Sequence, residues 1–303
     1  MYHCFMIDVT AVRALVAVEQ SGSVVKAAES MGYSPSAISQ QIKKLEKQSG
    51  VALLERYGRG VLLTERGKTL AERGRQILDD VELLESTLLA DPKKPEGTLR
   101  VATFSTASRG LVAPILKKLD GSGIRLSIIG EDPREAVDRV ATGQADLAVV
   151  HDWQSVPLAI PDHLEVENLC LDDADVLVNS GHRLAGAAEV FRRDLLEEAW
   201  ISTPAGAICS EALMQVFADL GRVPNVRAYD PDFSTHLEFV SLGVAIALVP
   251  QLGRPTLPEN VIPISISDMC NQRQVQIVYR KTMAASPAIR HVVELLHHAA
   301  EKV

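Results

Sequence analysis

Between Ser23 and Glu46 the chain reads SVVKAAESMGYSPSAISQQIKKLE, and no other stretch restricts the fold so tightly. Ser23 is an N-cap residue, and Val24, Ala27, Ala28 and Met31 follow it at helical spacing. Gly32-Tyr33 breaks that helix. Ser34 caps the next one, and Pro35 takes its first position, where a backbone N–H is not needed. Ile38, Ile42 and Leu45 then form a single apolar stripe, while Ser36, Gln40, Lys43 and Lys47 lie on the opposite side. Two short helices joined by a tight turn, the second with hydroxyls and an amide in front and lysines behind, are the pattern of a helix-turn-helix. The small polar side chains reach base edges and the lysines hold phosphates. The plainer alternative is an amphipathic pair with a solvated face, and the following residues argue against it.

Val51 to Arg66, VALLERYGRGVLLTER, reads as two short strands around Gly58-Arg59-Gly60, with Arg56 and Arg59 at the tip. A basic hairpin directly behind a recognition helix is a wing, and its place is on the flanking backbone or minor groove. Gly-Arg-Gly also suggests a phosphate loop, but no helix opening with Lys-Ser or Lys-Thr follows it. The candidate DNA contacts are therefore Ser23, Ser34, Pro35, Ser36, Ala37, Ser39, Gln40 and Lys43, with Arg56 and Arg59 on phosphates.

Taken together, residues Val12 to Leu70 resemble the winged helix-turn-helix of LysR-type transcriptional regulators. Carrying the resemblance are Gly22-Ser23, Ala27-Ala28, Ser34-Pro35-Ser36-Ala37-Ile38-Ser39, Gln41-Ile42, Leu45-Glu46, Gly50, Leu53-Leu54, Arg56, Leu63-Thr64 and Gly67. Leu15, Leu54 and the pair Val24-Val25 depart from the family's habit of Phe, or Phe-Thr, at these places. Those changes fall on core positions rather than on the DNA-facing stripe.

Upstream, Asp8 or Thr10 caps a bracing helix through Gln20, with Val12, Leu15, Val16 and Val18 inward and Gly22 at its end. Downstream, Thr64 caps a long helix to about Ala90. Leu70, Gly74, Ile77, Val81, Leu84 and Leu88 follow a heptad seam along it, a stripe with nothing in cis to cover it. That predicts pairing of two subunits through this helix, as the resemblance also implies; packing of the stripe on its own wing domain is the alternative. Asp91 to Gly97, DPKKPEG, is a linker.

From Leu99 onward, LRVATF, IRLSII, ADLAVV, DVLVNS, WISTP and AIALVP are strand-like, and helical patterns such as Arg109–Leu119 and Pro133–Thr142 lie between several of them. This alternation predicts an α/β domain with a mostly parallel sheet. Its order, with Gly143-Gln144-Ala145-Asp146-Leu147-Ala148 and Val240 to Pro250 as anchors, resembles the effector domain of the same family, related to type 2 periplasmic binding proteins. The resemblance implies two lobes, with the C-terminal helix, Pro287 to Ala300, completing the first. The expected division is 1–64 winged helix-turn-helix, 65–90 linker and dimerisation helix, 91–97 hinge and 98–303 effector-binding domain. Within the last, lobe I spans about 98–165 and 268–303, and lobe II about 166–267.

Ligands of open parallel sheets bind at strand carboxyl ends, next to helix N-termini. Phe104 to Arg109, Ser202-Thr203-Pro204 with Ile208-Cys209-Ser210, and Asp230 to Ser234 meet that condition, although Ser and Thr cap helices everywhere. Ser105, Thr106, Thr203, Phe233 and Ser234 are the candidate effector contacts, for a small polar or carboxylated molecule. Arg109 reads as a surface arginine, and His151-Asp152 follows a strand end. No G-x-S-x-G, H-E-x-x-H or dinucleotide fingerprint occurs, so no catalytic residue, metal or cofactor is expected. His297-His298 reads as a solvated face. A helix-turn-helix fused to a catalytic α/β domain is the other class, distinguished by turnover of a metabolite without DNA.

Net charge tests the DNA reading. The chain carries −8 overall, but residues 1–67 hold 8 Lys+Arg against 6 Asp+Glu, while residues 98–303 hold 18 against 26. The acidic surplus lies away from the proposed DNA face, where screening limits its reach. The modest basic excess implies several copies on one DNA, a homodimer or a dimer of dimers. Cys4, Cys170, Cys209 and Cys270 are far apart with no C-x-x-C, as suits free thiols; Cys209, near a helix start, is the candidate for a lowered pKa. No apolar run approaches the roughly 20 residues of a membrane span, and the N-terminus lacks a secretory pattern. A cytoplasmic protein is expected, with Met6 a candidate natural start.

Overall fold

The computed structural model describes residues 7–57, 60–88, 95–269 and 271–302. The chain divides into two compact units, Met1–Ala90 with Thr142–Gln144, and Asp91–Ala141 with Ala145–Val303.

In the first unit α1 (Val9–Ser21) begins at Asp8, whose carboxylate accepts from the Thr10 N–H, and stops at Gly22, with φ +61°. Ser23 caps α2 (Val24–Met31), and Ser34 caps α3 (Pro35–Ser49) by accepting from the Ala37 N–H. The three helices enclose a core of Val12, Leu15, Ala27, Ala28, Ile38, Ile42 and Leu45, with Val24 and Met31 packed on its margin. Behind them β1 (Leu54–Tyr57) and β2 (Gly60–Leu63) pair antiparallel, and α4 (Glu65–Leu88) follows.

The stripe on α4 splits. Ala71 and Gly74 are buried, Leu70 and Leu78 pack on the same core, and a Cβ on Gly74 would lie 2.5 Å from Val12 Cγ1. Its first half is therefore covered in cis by α1, contrary to the expectation that nothing in cis could cover it. Ile77 and Leu84 remain 42% and 63% exposed in this chain. The Leu88 side chain lies outside the described residues.

The second unit opens with β3 (Gly97–Thr103) and a helical run made of α5 (Ser105–Ala107), a π turn (Ser108–Val112) and α6 (Ala113–Leu116). Then come β4 (Ile124–Gly130), α7 (Pro133–Ala141), β5 (Leu147–Trp153) and the long β6 (Leu164–Asn179). β7 (Ala199–Ser202), α8 (Ile208–Val216), β8 (Asn225–Tyr229), α9 (Phe233–Ser241), β9 (Ala247–Pro250) and β10 (Val261–Ile264) follow. β11 (Gln272–Arg280) and α10 (Pro287–Ala300) close the chain.

The main sheet runs β10-β6-β11-β5-β3-β4, with β9 also on β6, and β7 pairs separately with β8. β3 is parallel to β4 and β5, but β11 runs antiparallel to both β5 and β6, so the sheet is mixed rather than mostly parallel. The reason is β6. Its residues 164–173 pair with β11, and residues 174–179 pair with β9 and β10, so one strand serves two groups of strands. Each group has its own core. Val101, Leu147 and Ile277 pack with Ile289, Val292 and Leu296 of α10, while Val176 and Val178 pack with Trp200, Phe217 and Ile246. Among the described residues, no helix is long and apolar enough to cross a membrane.

Candidate functional site

On α3, Ile38, Ile42 and Leu45 point inward, and Ser34, Pro35, Ser36, Gln40, Lys43 and Lys47 are exposed. The helix presents this face in a fixed attitude. Ser34 Oγ lies 2.9 Å from Ser36 Oγ, and the Ser39 hydroxyl donates to the Pro35 carbonyl at 2.9 Å. Ser39 and Ala37 are half-buried, and Ser23 is occupied as the α2 cap. Lys44, just off the reading stripe, pairs with Asp8 at 2.7 Å and pins α3 to the start of α1. Glu46 does the same for the wing: Oε1 accepts from the Leu53 and Leu54 N–H groups at 2.8 and 3.2 Å. The sequence marked Glu46 without revealing this task, because its partners lie beyond a turn. Arg56 falls in β1, but its side chain lies outside the described residues, as does Arg59.

In the second unit one expected ligand contact, Thr106, meets residues that sequence reasoning missed. Thr106 is fully buried and accepts from Arg273 Nη2 at 2.7 Å. Arg273 Nε donates to Asp172 Oδ2 at 2.8 Å, and Asp172 Oδ1 accepts from the Leu252 N–H at 2.8 Å. Both members of the pair are at most 1% exposed at their side chains. The guanidinium stacks 4.8 Å over the Phe104 ring, which meets the His151 ring edge-on at 4.6 Å. His151 Nε2 lies 3.7 Å from Cys209 Sγ. Among the described residues Arg273 Nη1, His151 Nδ1 and Trp153 Nε1 are buried with no nitrogen or oxygen partner, and Trp153 and Arg273 both reach the Cys209 thiol, a weak acceptor; Thr203 Oγ1 is likewise buried without a partner. Buried donors in that condition are rare and call for an explanation.

Two further links join the strand groups. The Asp132 carboxylate accepts from Arg134 N–H through Oδ1 at 3.2 Å and from Ile208 N–H through Oδ2 at 3.1 Å. It thus sits between the N-termini of α7 and α8. Arg134 donates to both oxygens of Glu211 and to the Gly206 carbonyl. Arg109 Nε donates to the Gly253 carbonyl at 2.8 Å and its Nη1 lies 3.6 Å from Asp232, so it is engaged rather than a plain surface arginine. Close backbone approach holds this side together: a Cβ on Gly253, at φ +61°, would fall 2.0 Å from the Thr106 carbonyl oxygen.

Ser105 is half-buried at the start of α5. Phe233 is 5% exposed and packs with Leu177, Ile201 and Leu237, while Ser234 is exposed and donates its N–H to the α9 cap Asp232. An open groove of about 570 Å³ borders the Arg273 cluster, lined by Gly110, Leu171 to Asp173 and Gln251 to Leu257, and it meets the cluster at Asp172, Leu252 and Gly253.

Burial pushes the Cys209 thiol up, against the expectation of a lowered value, because desolvation outweighs the cationic Arg273 beside it. Asp132 is likewise raised by burial, opposed by its two N–H donors. His297, read as solvated, meets Glu167 at 3.1 Å. His151 is held well below its ordinary value, first by burial and then by Arg273. The unfolded chain therefore binds the additional proton. The stability this contributes is present above the unfolded pKa of about 6.5 and is lost as pH falls below it. The unfolding temperature of this unit should drop between about pH 7 and pH 5. His151→Phe should flatten part of that slope, leaving the share of His236, which burial also lowers.

Comparison with known proteins brings these features together. Residues 9–68 match the model of the bacterial regulatory helix-turn-helix protein, lysR family, and residues 92–301 match the LysR substrate binding domain. The RuBisCO operon transcriptional regulator of Allochromatium vinosum is 25% identical over 283 residues, covering 91% of each chain. The small neutral protease regulatory protein of Streptomyces coelicolor is 30% identical over 243 residues, 78% of this chain and 75% of that one. The fold is similar to a full-length OxyR variant from Pseudomonas aeruginosa, with TM-score 0.68 and 20% identity, over 98% of this chain and 95% of the other.

Proposed function

We propose, from the premise that this chain belongs to the LysR family of DNA-binding transcriptional regulators, a specific division of labour among its residues. The protein is a regulator and not an enzyme. α3 lies in the major groove. Ser36 and Gln40 read bases, with Ser34, Pro35, Ala37 and Ser39 shaping the approach. Ser23 and Lys43 hold phosphates, and Arg56 and Arg59 do so from the wing. The observation that carries this is the exposed row Ser36, Gln40, Lys43, Lys47 on a helix tied through Lys44 to α1 and through Glu46 to the wing.

The protein works in the cytoplasm as a homodimer or a dimer of dimers, the exposed half of the α4 stripe supplying the seam. Heads then sit in successive major grooves about 34 Å apart or multiples of that. The divisions 1–64, 65–90, 91–97 and 98–303, with lobe boundaries near 165 and 267, describe the same arrangement. A small polar or carboxylated effector binds between the lobes at Thr106 and Thr203, with Ser105, Phe233 and Ser234 at the margins. It shifts activity by preferring one arrangement of the lobes.

The test separates two side chains on one helix. Lys43→Ala should weaken binding to every duplex and reduce the salt slope by about one unit. Gln40→Ala should relax preference at one base position, with a discrimination loss of about 1–3 kcal/mol. Should Gln40→Ala leave preference unchanged in a binding-site selection, the reading stripe is misplaced.

A further inference from the structure

Resting on the reading of the inter-lobe region as the effector site, we propose that its ligand is small, uncharged and rich in acceptors, and that Asp132 selects against carboxylates. Three observations lead there.

The first is the state of Arg273, the buried cation of this cluster. A guanidinium grips a carboxylate with two parallel N–H bonds from one edge. In Arg273 the Nε and Nη2 edge is spent on Asp172, and Nη2 also serves Thr106. Only Nη1 is left, a donor on a cation whose charge is already matched.

The second is Asp132. Free N–H groups at a helix start are where an anionic ligand would bind. At α8 the first of these is taken from within: Asp132 Oδ2 accepts from the Ile208 N–H, while Oδ1 serves α7. Asp132 holds Ile208, the neighbour of Cys209, whose Sγ lies 3.7 Å from His151, and the His151 and Arg273 side chains share the Phe104 ring, so these groups form one cluster. That cluster already carries the carboxylates of Asp172 and Asp132 against the guanidinium of Arg273. A carboxylate ligand would add a further anion in a place with little water to screen it, a costly step.

The third is the character of the groups left over. Trp153 Nε1 and the Arg273 guanidinium can only donate, and the acceptor they share in this cluster is the weak thiol sulfur of Cys209. His151 stays neutral, so it contributes one more hydrogen-bonding nitrogen without charge. These groups need acceptor oxygens, and they supply no net positive charge to hold an anion. A carbonyl or hydroxyl oxygen meets that need.

Isosteric pairs test the claim on the full-length protein: acetamide against acetate, and propionamide against propionate. Calorimetry and unfolding temperature are followed up to about 100 mM, the range in which fragment-sized ligands bind. The amides should bind and raise the unfolding temperature, and the carboxylates should bind at least about tenfold more weakly. Trp153→Phe keeps the ring and removes the donor, and should weaken the amides about fivefold, the loss of one neutral hydrogen bond. Asp132→Asn should narrow the gap between the members of each pair; the wild-type comparison stands by itself if that variant does not fold. Carboxylates binding as tightly as amides, with Trp153→Phe weakening both, would overturn the selectivity and leave the effector site in place. Binding by neither series, or binding indifferent to Trp153→Phe, would overturn both.

Discussion

Asp172→Ala should lower the stability of the second unit by about 3–5 kcal/mol, the cost of stranding a buried charge. Asp172 and Arg273 are opposite one another on β6 and β11, and both side chains are out of contact with water. Without the carboxylate, Arg273 keeps one hydroxyl partner, Thr106, and the Leu252 N–H loses its acceptor. The damage reaches beyond stability, since β6 passes from one strand group to the other just after this residue. Urea unfolding followed by tryptophan emission reports on this unit alone, because Trp153 and Trp200 both lie in it. The double variant Asp172→Ala with Arg273→Met should recover much of the loss, because no charge then stays buried. A single variant as stable as the parent would mean that water reaches the guanidinium and the pair is not closed.

In the first unit, Gly67→Ala should cost about 1–3 kcal/mol and weaken DNA binding with it, as overpacking does. A Cβ there would lie 2.2 Å from the Leu53 carbonyl oxygen and 3.1 Å from its carbon. That oxygen accepts from the Thr64 N–H, and the Leu53 N–H is the one Glu46 holds. The obstruction is backbone and cannot rotate away, so α4 or the wing must move relative to α3. Gly74→Ala is the control. Its nearest neighbour is a methyl of Val12 at 2.5 Å, the end of a side chain, and it lies far from the wing strands in sequence. Gly74→Ala should destabilise without changing the wing's footprint on DNA. Equal footprints for the two variants would detach Gly67 from wing placement.

Much of the first unit was legible because its signals are local. Asp8, Ser23, Ser34 and Thr64 cap the helices predicted for them, and Gly22, Gly32 and Gly50 end them in the left-handed region. Capping and apolar spacing depend on residues within one or two turns, so a linear reading captures them. The same holds for the alternation of strands and helices after Leu99. By contrast, the partner choice of β11 was hidden. β11 has clear alternation at Val275, Ile277 and Tyr279, yet nothing in that alternation says that it runs antiparallel between β5 and β6.

The ligand cluster marks the boundary between the two kinds of knowledge. Thr106, which meets Arg273, was singled out because hydroxyls at strand ends are a local signal. Arg273, Asp172, Asp132 and Trp153 were not, since each is an ordinary residue until the fold brings it to its neighbours. Arg273 and Thr106 are 167 positions apart in sequence, and their hydrogen-bonded atoms lie 2.7 Å apart. From its sequence alone this chain is committed to a capped helix-turn-helix, a wing and an α/β body, because those follow from short-range periodicity and turn chemistry. Which donors meet inside that body, and which charges cancel there, is decided only when β6 and β11 close over the chain, for electrostatic pairing depends on distance in space and burial rather than on order along the backbone.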